Sequence, residues 1–285
     1  MRKFKISSLA ARRMQGLENT PPKEEKNLSE SAENEEPVQQ EKPADTLKVT
    51  SRTDVGLVRK NNQDAIILGG GLMGVADGMG GHRGGETASA GARDGLLHAL
   101  EGREPSRETL EKAVEEVNLA LWNQQEKEEN LSGMGTTLSV LWAAEEQMLI
   151  AHVGDSRIYL FREGQIRQVT RDHSMVADMV RRGILTEEQA ATHPMRNYIT
   201  RAVGTEPSIQ VDTLALERQA GDRWLICSDG LHGLLSRDEL QQLMAGEDME
   251  EAADQMMREA LDRGGRDNIS LVLVWDEMPE REVAE

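Results

Sequence analysis

The feature that most constrains the fold is a block of four strand-like segments between residues 136 and 170, joined by short turns. The segments TTLSVLWAA, QMLIAHVGD, SRIYLFRE and GQIRQVT are largely apolar and rich in β-branched residues. The connections AAEEQ and REGQ are short enough to be hairpin turns. Helix-like segments lie on both sides of the block. This order favours antiparallel sheets covered by helices over a doubly wound parallel sheet.

Further strand-like and helix-like segments flank this block. Strand patterns occur in LKVTSRTD, QDAIIL and GLMGVAD before it, and in SIQVDTLAL, DRWLICSD and NISLVLVW after it. Helix patterns occur in GGETASAGARDGLLHAL, SRETLEKAVEEVNLALWNQQ, SRDELQQLMA and DMEEAADQMMREALDRG. Ser106 stands where an N-cap belongs, with Glu108 early in the helix that follows. Residues 172–205 are less regular and predict short helices separated by breaks.

The two ends of the chain differ in composition from the middle. Residues 1–45 combine a basic head with an acidic linker that is rich in Glu and Pro and has few apolar residues, as disordered segments do. We expect one folded domain over residues 46–277 and an acidic C-terminal tail over 278–285. The N-terminal tail has two interpretations: an extended segment of little function, or a docking arm whose head binds a partner or an anionic surface.

The overall charge and the cysteine content exclude several classes of function. The formal net charge of −18 argues against nonspecific binding to nucleic acid and against docking on anionic lipid. The single cysteine excludes a disulfide within the chain and a zinc site built from cysteines. No apolar run has the length of a membrane span or of a secretory signal. We therefore expect a cytoplasmic protein in a reducing compartment.

Five aspartates adjoin apolar runs that should be buried, and each has Gly, Ser or Asn beside it. Any one of them alone is most simply a turn residue that caps the next element. A charge at the edge of a core is costly unless it is paired or binds a metal, so five in matching contexts require an explanation. Separate salt bridges to arginine are one explanation, and a cation cluster is the other. The five residues are Asp64, Asp77, Asp155, Asp229 and Asp267.

The cation interpretation predicts a definite chemistry. No His or Cys cluster accompanies the aspartates, so the metal should be a hard ion, Mg²⁺ or Mn²⁺. The stretch GVADGMGGHRGG would let backbone groups approach such an ion closely, although an ordinary flexible loop has a similar composition. A carboxylate-held metal pair lowers the pKa of water and clamps phosphoryl oxygens, which predicts hydrolysis of a phosphate ester. Arg59 is the candidate to orient the phosphate, or else an ordinary surface arginine.

Seven motifs in a fixed order resemble those of the bacterial metal-dependent Ser/Thr protein phosphatases of the type 2C family. They are TDVGLVRKNNQDA, GVADGMGGHRGGETAS, GMGTTLSVLW, AHVGDSRIYLFREGQIRQVTRDHSMV, HPMRNYITRAVG, WLICSDGL and GGRDNISLVLV. The resemblance extends from about Lys48 to about Trp275. It implies an α+β fold, a four-layer α/β/β/α sandwich with two central antiparallel sheets and the metal site at one edge.

The resemblance also implies roles for individual residues at the metals. Asp77 would bridge two Mn²⁺ or Mg²⁺ ions, and the carbonyl of Gly78 would bind the second of them. Asp229 and Asp267 would complete the shell of the first ion. Asp155 and Asp229 would bind a third, weaker ion.

Three further roles follow from the resemblance. Asp64 would hold metal-bound water, and Arg59 would hold the substrate phosphate. Residues 172–205 would form a flap beside the active site. The implied activity is hydrolysis of phosphoserine and phosphothreonine in proteins by direct attack of a metal-activated water. The implied partners are phosphorylated proteins and a bacterial Ser/Thr kinase, and we expect a monomer.

Two departures from the family pattern leave alternatives open. Many members have Glu where this chain has Gln63, and an amide is a poorer metal ligand. A regulatory module that binds phosphoproteins with weak or no turnover is therefore the alternative function. Met79 stands where eukaryotic members have a His proposed as the general acid, so the proton for the leaving group must come from metal-bound water or another residue. His82 is nearby in sequence, but a loop histidine is more often solvated.

Three chemically reactive residue types were considered for other roles. Cys227 lies in an apolar strand without an activating base, which favours a buried core thiol over a nucleophile. Ser228 has no Ser-His-Asp context and is interpreted as a hydrogen-bond partner of the turn. His152 lies within a strand and is interpreted as structural.

Overall fold

Eleven β-strands and seven α-helices make up the parts of the chain that the computed structural model describes, residues 46–80 and 84–279. The strands are β1 (Leu47–Asp54), β2 (Asp64–Gly69), β3 (Leu72–Met79), β4 (Gly135–Thr136), β5 (Leu138–Ala143), β6 (Gln147–Val153), β7 (Arg157–Arg162), β8 (Gln165–Gln168), β9 (Asp212–Glu217), β10 (Arg223–Cys227) and β11 (Ile269–Asp276). The helices are α1 (Gly84–Leu100), α2 (Arg107–Gln125), α3 (Met175–Arg181), α4 (Glu187–Ala191), α5 (Asp229–His232), α6 (Arg237–Met244) and α7 (Met249–Asp262).

The strands form two antiparallel sheets. One sheet has the order β1-β11-β10-β7-β8, and the other has the order β2-β3-β5-β6-β9, with the short β4 paired to β3. Every recorded pairing is antiparallel, as the hairpin turns in the sequence predicted. The sequence-based expectation of antiparallel rather than parallel sheets is confirmed.

Three separate apolar layers show how the sheets and helices stack. One layer lies between the second sheet and helices α1 and α2, and another lies between the first sheet and helices α5 to α7. The third joins the two sheets face to face, with Val75 and Ile150 on one side and Ile158 and Val272 on the other. Three apolar layers require four layers of structure, so the chain is an α/β/β/α sandwich.

Burial on both faces explains why the central strands read as continuous apolar runs. All six residues of β5 are buried. Val140 and Trp142 point into the layer beneath the helices, whereas Leu141 and Ala143 point into the layer between the sheets. Successive side chains alternate between faces, so a strand covered on both sides has no polar positions.

The segment predicted to be a flap is attached to the sandwich at the turn that follows β6. It carries α3 and α4, in agreement with the short helices expected there. The backbone N–H of His173 donates to the carbonyl of Gly154 (2.7 Å), and Gly154 N–H donates to Nδ1 of His173 (3.0 Å). The base of the segment is therefore held directly beside Asp155.

The helix boundaries follow the capping signals in the sequence. Ser106 caps α2 by accepting a hydrogen bond from the N–H of Thr109 (3.1 Å), as expected. Ser236 and Glu239 form a capping box at the start of α6. The sequence reading did not identify α5, because four residues are too few to show a helical period.

Two aspartates at one end of the sandwich form buried ion pairs. Arg218 donates to both carboxylate oxygens of Asp276, at 2.7 and 3.0 Å, and both side chains are almost fully buried. Arg162 donates to both oxygens of Asp222, at 2.6 and 2.7 Å. Asp222 directly precedes β10 and Asp276 ends β11, so both pairs lie at the same end of these antiparallel neighbours.

Among the described helices, none is long and apolar enough to cross a membrane. The predicted tail of residues 1–45, His82 in the glycine-rich turn and most of the predicted C-terminal tail lie outside the described residues.

Candidate metal centre

Asp64 and Asp77 face each other across two neighbouring strands. Asp64 begins β2, Asp77 lies near the end of β3, and the two are direct partners in the register. Thr137 holds Asp77 from the other side: its Oγ1 accepts from the N–H of Asp77 (2.9 Å), and its N–H donates to the Asp77 carbonyl (2.8 Å). The second sheet thus contributes two opposed carboxylates at one of its edges.

The first sheet contributes Asp229 and Asp267 at its facing edge. Asp229 follows the end of β10 and Asp267 precedes β11, and antiparallel pairing brings these two positions together. Ser228 links the sheets, because its Oγ accepts from the N–H of Ser270 (3.0 Å) and donates to Oδ2 of Asp64 (2.9 Å). The interpretation of Ser228 as a hydrogen-bond partner of the turn is confirmed.

Asp155 lies in the turn between β6 and β7, close to the same group. Nε2 of His232 is 3.0 Å from the Asp155 carbonyl, and since a carbonyl only accepts, the histidine donates from Nε2. His232 ends the short helix α5 that Asp229 begins, so one turn of helix connects the two aspartates.

The carboxylates repel one another strongly. Burial, followed by the charges of Asp64 and Asp229, raises the pKa of Asp77 well above its ordinary value. Burial and the charge of Asp155 raise the pKa of Asp229 to about 8. Burial is the main reason that the pKa of Asp64 and the pKa of Asp155 both rise to about 6. Shifts of this direction mark carboxylates that lack a compensating cation.

Unpartnered oxygen atoms show that this edge fits a divalent cation. Oδ1 of Asp64, Oδ1 of Asp155 and Oδ1 of Asp229 are buried and make no hydrogen bond in the structure. Buried polar atoms are normally satisfied, so three such oxygens at one edge call for a ligand. The charged donors are all oxygens, which suits Mg²⁺ or Mn²⁺. Among the described residues, no group of three or more His, Cys, Asp or Glu side chains is arranged so that it could hold a metal ion.

The glycine-rich turn leaves space around the Gly78 carbonyl. A Cβ added at Gly85 would lie 2.7 Å from that carbonyl oxygen and 2.6 Å from Nε2 of Gln63, and a Cβ at Gly78 would overlap the Gly85 carbonyl. Glycine at both positions therefore permits the two backbone segments to lie close together, and the approach of an ion to this turn stays a prediction. The Gln63 side chain lies against this turn, beside the Gly78 carbonyl.

Arg59 lies on a tightly anchored loop beside the carboxylates. One of its Nη atoms donates to Oδ2 of Asp267 (2.6 Å), and about half of the arginine side chain is exposed. Asn268 fixes the loop by donating from Nδ2 to the carbonyls of Val55 (2.9 Å) and Asn61 (3.0 Å). The loop thus holds a guanidinium group beside the carboxylates and accessible to solvent.

All seven predicted site positions therefore lie at or beside one edge of the sandwich: Arg59, Asp64, Asp77, Gly78, Asp155, Asp229 and Asp267. The sequence reading missed several supporting residues. Asn268 and Thr137 stand at or near the start of predicted strands, and only their tertiary hydrogen bonds reveal what they hold. Asp172, which Arg157 binds through two hydrogen bonds to Oδ2 (2.7 and 3.1 Å), gave no signal either.

Cys227 and His152, which were interpreted from the sequence as structural residues, have structural roles in the fold. Cys227 is fully buried, and burial raises the pKa of its thiol to about 12, which disfavours the thiolate that a nucleophile needs. His152 is buried and lies within hydrogen-bond distance of Ser139 Oγ (2.9 Å) and the Arg171 carbonyl (3.0 Å). Both interpretations are confirmed.

Comparisons with known proteins agree with this geometry. The family model described as Protein phosphatase 2C matches residues 56–273. The chain is 40% identical over 230 residues to the serine/threonine protein phosphatase PstP of Mycobacterium tuberculosis, covering 80% of this chain but only 44% of that protein. It is 37% identical over 246 residues to the serine/threonine phosphatase stp of Listeria monocytogenes, covering 81% of this chain and 96% of that one.

A solved structure extends the similarity to three dimensions. The catalytic domain of PstP in complex with two manganese ions superposes with a TM-score of 0.75 at 37% identity, covering 80% of this chain and 97% of that domain. The region that the family model matches contains strands β2 to β10, most of β11 and all five aspartates. The chain belongs to the protein phosphatase 2C family.

Proposed function

We propose that this protein hydrolyses phosphoserine and phosphothreonine in proteins with the help of Mn²⁺ or Mg²⁺. The observation that carries the proposal is the set of three buried, unpartnered carboxylate oxygens at one edge of the sandwich, with an exposed arginine beside them. The names of the relatives, which are serine/threonine phosphatases, support the same activity.

The carboxylate group has the composition needed to hold two ions. We assign Asp77 as the ligand that would be shared by both ions, because it faces Asp64 and because the charges of four other aspartates raise its pKa. The Gly78 carbonyl, Asp229 and Asp267 complete the set. Divalent ions held there would lower the pKa of a water molecule toward about 7 and neutralise phosphoryl oxygens.

Asp155 and Asp229 are the proposed ligands of a third, weaker ion. The unpartnered Oδ1 atoms of both residues and the effect of Asp155 on the pKa of Asp229 support this assignment. The pair lies next to the base of the flap segment, so occupation of this position would depend on the arrangement of that segment.

Two residues act on the substrate and the attacking water. Arg59 binds the phosphate through its guanidinium group, which suits the geometry of phosphoryl oxygens. Asp64 accepts a hydrogen bond from the attacking water at its free Oδ1. Attack is direct, without a phosphoenzyme, and the inert thiol of Cys227 supports this step.

The partners follow from the reaction. Protein phosphoserine and phosphothreonine are made by protein kinases, so a Ser/Thr kinase supplies the substrates. We expect a monomer to be the active unit. The net charge of −18 supports protein rather than nucleic-acid substrates, and the single cysteine supports a reducing, cytoplasmic setting.

The test is release of phosphate from a phosphothreonine peptide and a phosphotyrosine peptide of the same sequence, with Mn²⁺, Mg²⁺ or EDTA. We expect release that needs the metal and is faster from phosphothreonine. If a well-folded sample releases no phosphate with either metal but retains the phosphopeptide, the protein is the binding module that Gln63 suggested, and the proposed activity is wrong.

A further inference from the structure

Two adjacent apolar side chains beside the candidate metal centre are unusually exposed. Leu57 is 68% exposed and Val58 is 66% exposed, the highest values among the large hydrophobic residues that the structure describes. Single exposed apolar residues are common on protein surfaces. Leu57 and Val58 follow each other directly before Arg59, so this apolar step is adjacent in the chain to the residue proposed to bind phosphate.

The loop that carries these side chains is fixed rather than loose. The N–H of Leu57 donates to the Gly265 carbonyl (2.7 Å), and Gly56 has a positive φ of 76° with no space for a Cβ against the Asp267 carbonyl. Hydrogen bonds from Asn268 Nδ2 to the carbonyls of Val55 and Asn61 hold both ends of the loop. Leu57 and Val58 are therefore held outward by the backbone.

The position of the step relative to Arg59 determines what could cover it. A phosphate on Arg59 fixes one residue of the substrate, and each further residue of an extended chain advances about 3.3–3.6 Å. Because Leu57 and Val58 directly precede Arg59, we expect them to be within reach of side chains one or two residues from the phosphorylated position. Asp267 orients the Arg59 guanidinium. Leu57, Val58 and Arg59 belong to the same loop, so the step and the residue proposed to bind phosphate have a fixed order along it.

We propose that Leu57 and Val58 bind an apolar side chain one or two residues from the phosphorylated Ser or Thr of a protein substrate. The inference rests on the proposed function and adds a sequence preference to it. Covering the step removes apolar surface from water on both molecules, which favours substrates with Leu, Ile, Val or Met at that position. The continuity of the step with Arg59 favours this occupant over a second copy of the chain.

The test uses phosphothreonine peptides in a Gly/Ser background, with a single Leu placed in turn at positions −2, −1, +1 and +2. In the wild-type protein, Leu at one or more positions is expected to raise kcat/KM about tenfold over the Ser peptide, mainly through KM. In the double variant Leu57→Ser, Val58→Ser, the ratio between the two peptides is expected to fall close to one.

A matched control is Leu119→Ser, an exposed leucine on α2, for which the peptide ratio should stay at the wild-type value. The proposal is overturned if no position shows a preference for Leu, or if the preference survives in the double variant. It is also overturned if the double variant lowers the molar mass of the protein in light scattering, since a second copy would then cover the step. Hydrolysis of p-nitrophenyl phosphate by the wild-type protein with Mn²⁺ tests the proposed function separately.

Discussion

Buried aspartates lie at both ends of the strand pair β10 and β11, but their hydrogen-bond partners differ between the two ends. At one end, Asp222 and Asp276 each accept two hydrogen bonds from an arginine. At the other end, about 25 Å away along an eight-residue strand, Asp229 has a buried oxygen with no partner. At both ends the residue is an aspartate beside an apolar strand, but the groups that hydrogen-bond to the carboxylate differ.

This difference separates a structural carboxylate from a functional one. A buried aspartate matched to an arginine has its charge compensated within the chain. The aspartates at the other end raise one another's pKa, and the charges of Arg59 near Asp229 and of Arg157 near Asp155 offset this only in part. We propose that a divalent cation supplies the positive charge that this end lacks.

The largest expected effect is the loss of activity in Asp77→Asn. Removing the central carboxylate should lower kcat/KM for a phosphothreonine peptide by about 10³-fold or more, because a preorganised charged group at the reacting centre is lost. Phosphate release with Mn²⁺ measures the change, and circular dichroism checks that the variant is folded. The control Asp94→Asn alters an exposed carboxylate on α1 and should keep wild-type activity. Equal activity of Asp77→Asn and wild type would sink the assigned role.

The next largest effect is expected at the paired end, in Arg218→Met. This change leaves Asp276 buried without its cation, which should lower the free energy of unfolding by about 3–5 kcal/mol and the melting temperature by roughly 10 °C. Activity per folded molecule should be retained. The double variant Arg218→Met, Asp276→Leu should recover much of the loss, and Lys112→Ala, in an exposed ion pair, should leave the melting temperature nearly unchanged. No loss in Arg218→Met would contradict the contrast between the ends.

The sequence was sufficient to predict much of the fold but not this contrast. Continuous apolar runs with short turns gave the strands and their antiparallel pairing, since strands buried on both faces have a distinct composition. The carboxylates of the site were identified because each ends or begins such a run. Asp222 and Asp276 adjoin the same kind of run, and no local pattern distinguishes them from Asp229. Their partners Arg162 and Arg218 are 60 and 58 residues away, so pairing depends on tertiary structure.

A smaller effect is expected in the pH dependence of stability without metal. The pKa of Asp229 is raised to about 8 in the folded protein, so the folded state holds a proton that the unfolded state releases above about pH 4. Stability contributed by this group is present at low pH and is lost as the pH rises from about 4 to 8. In EDTA, wild type should therefore lose on the order of 2 kcal/mol relative to Asp229→Asn over this range, measured by urea unfolding. Parallel pH profiles of the two proteins would contradict it.

The smallest effect is expected for Ser228→Ala, which touches the link between the two sheets. The variant loses the hydroxyl that donates to Asp64 and leaves the buried N–H of Ser270 without its side-chain partner. We expect a loss of about 1 kcal/mol in unfolding free energy and a modest rise in the metal concentration needed for half-maximal activity. Ser132→Ala, at an exposed position, is the matched control. If Ser228→Ala changes neither the unfolding free energy nor the metal requirement, Asp64 is oriented without the serine.

The most direct test of the contrast between the two ends is calorimetric titration of Mn²⁺ into metal-free wild-type protein, Asp77→Asn and the double variant Arg218→Met, Asp276→Leu. Wild type and the double variant are expected to bind two ions, with a third at higher concentration, and Asp77→Asn is expected to lose at least one of the tight sites. Failure of the wild type to bind Mn²⁺, or equal binding by wild type and Asp77→Asn, would contradict the assignment of the unpaired aspartates to metal.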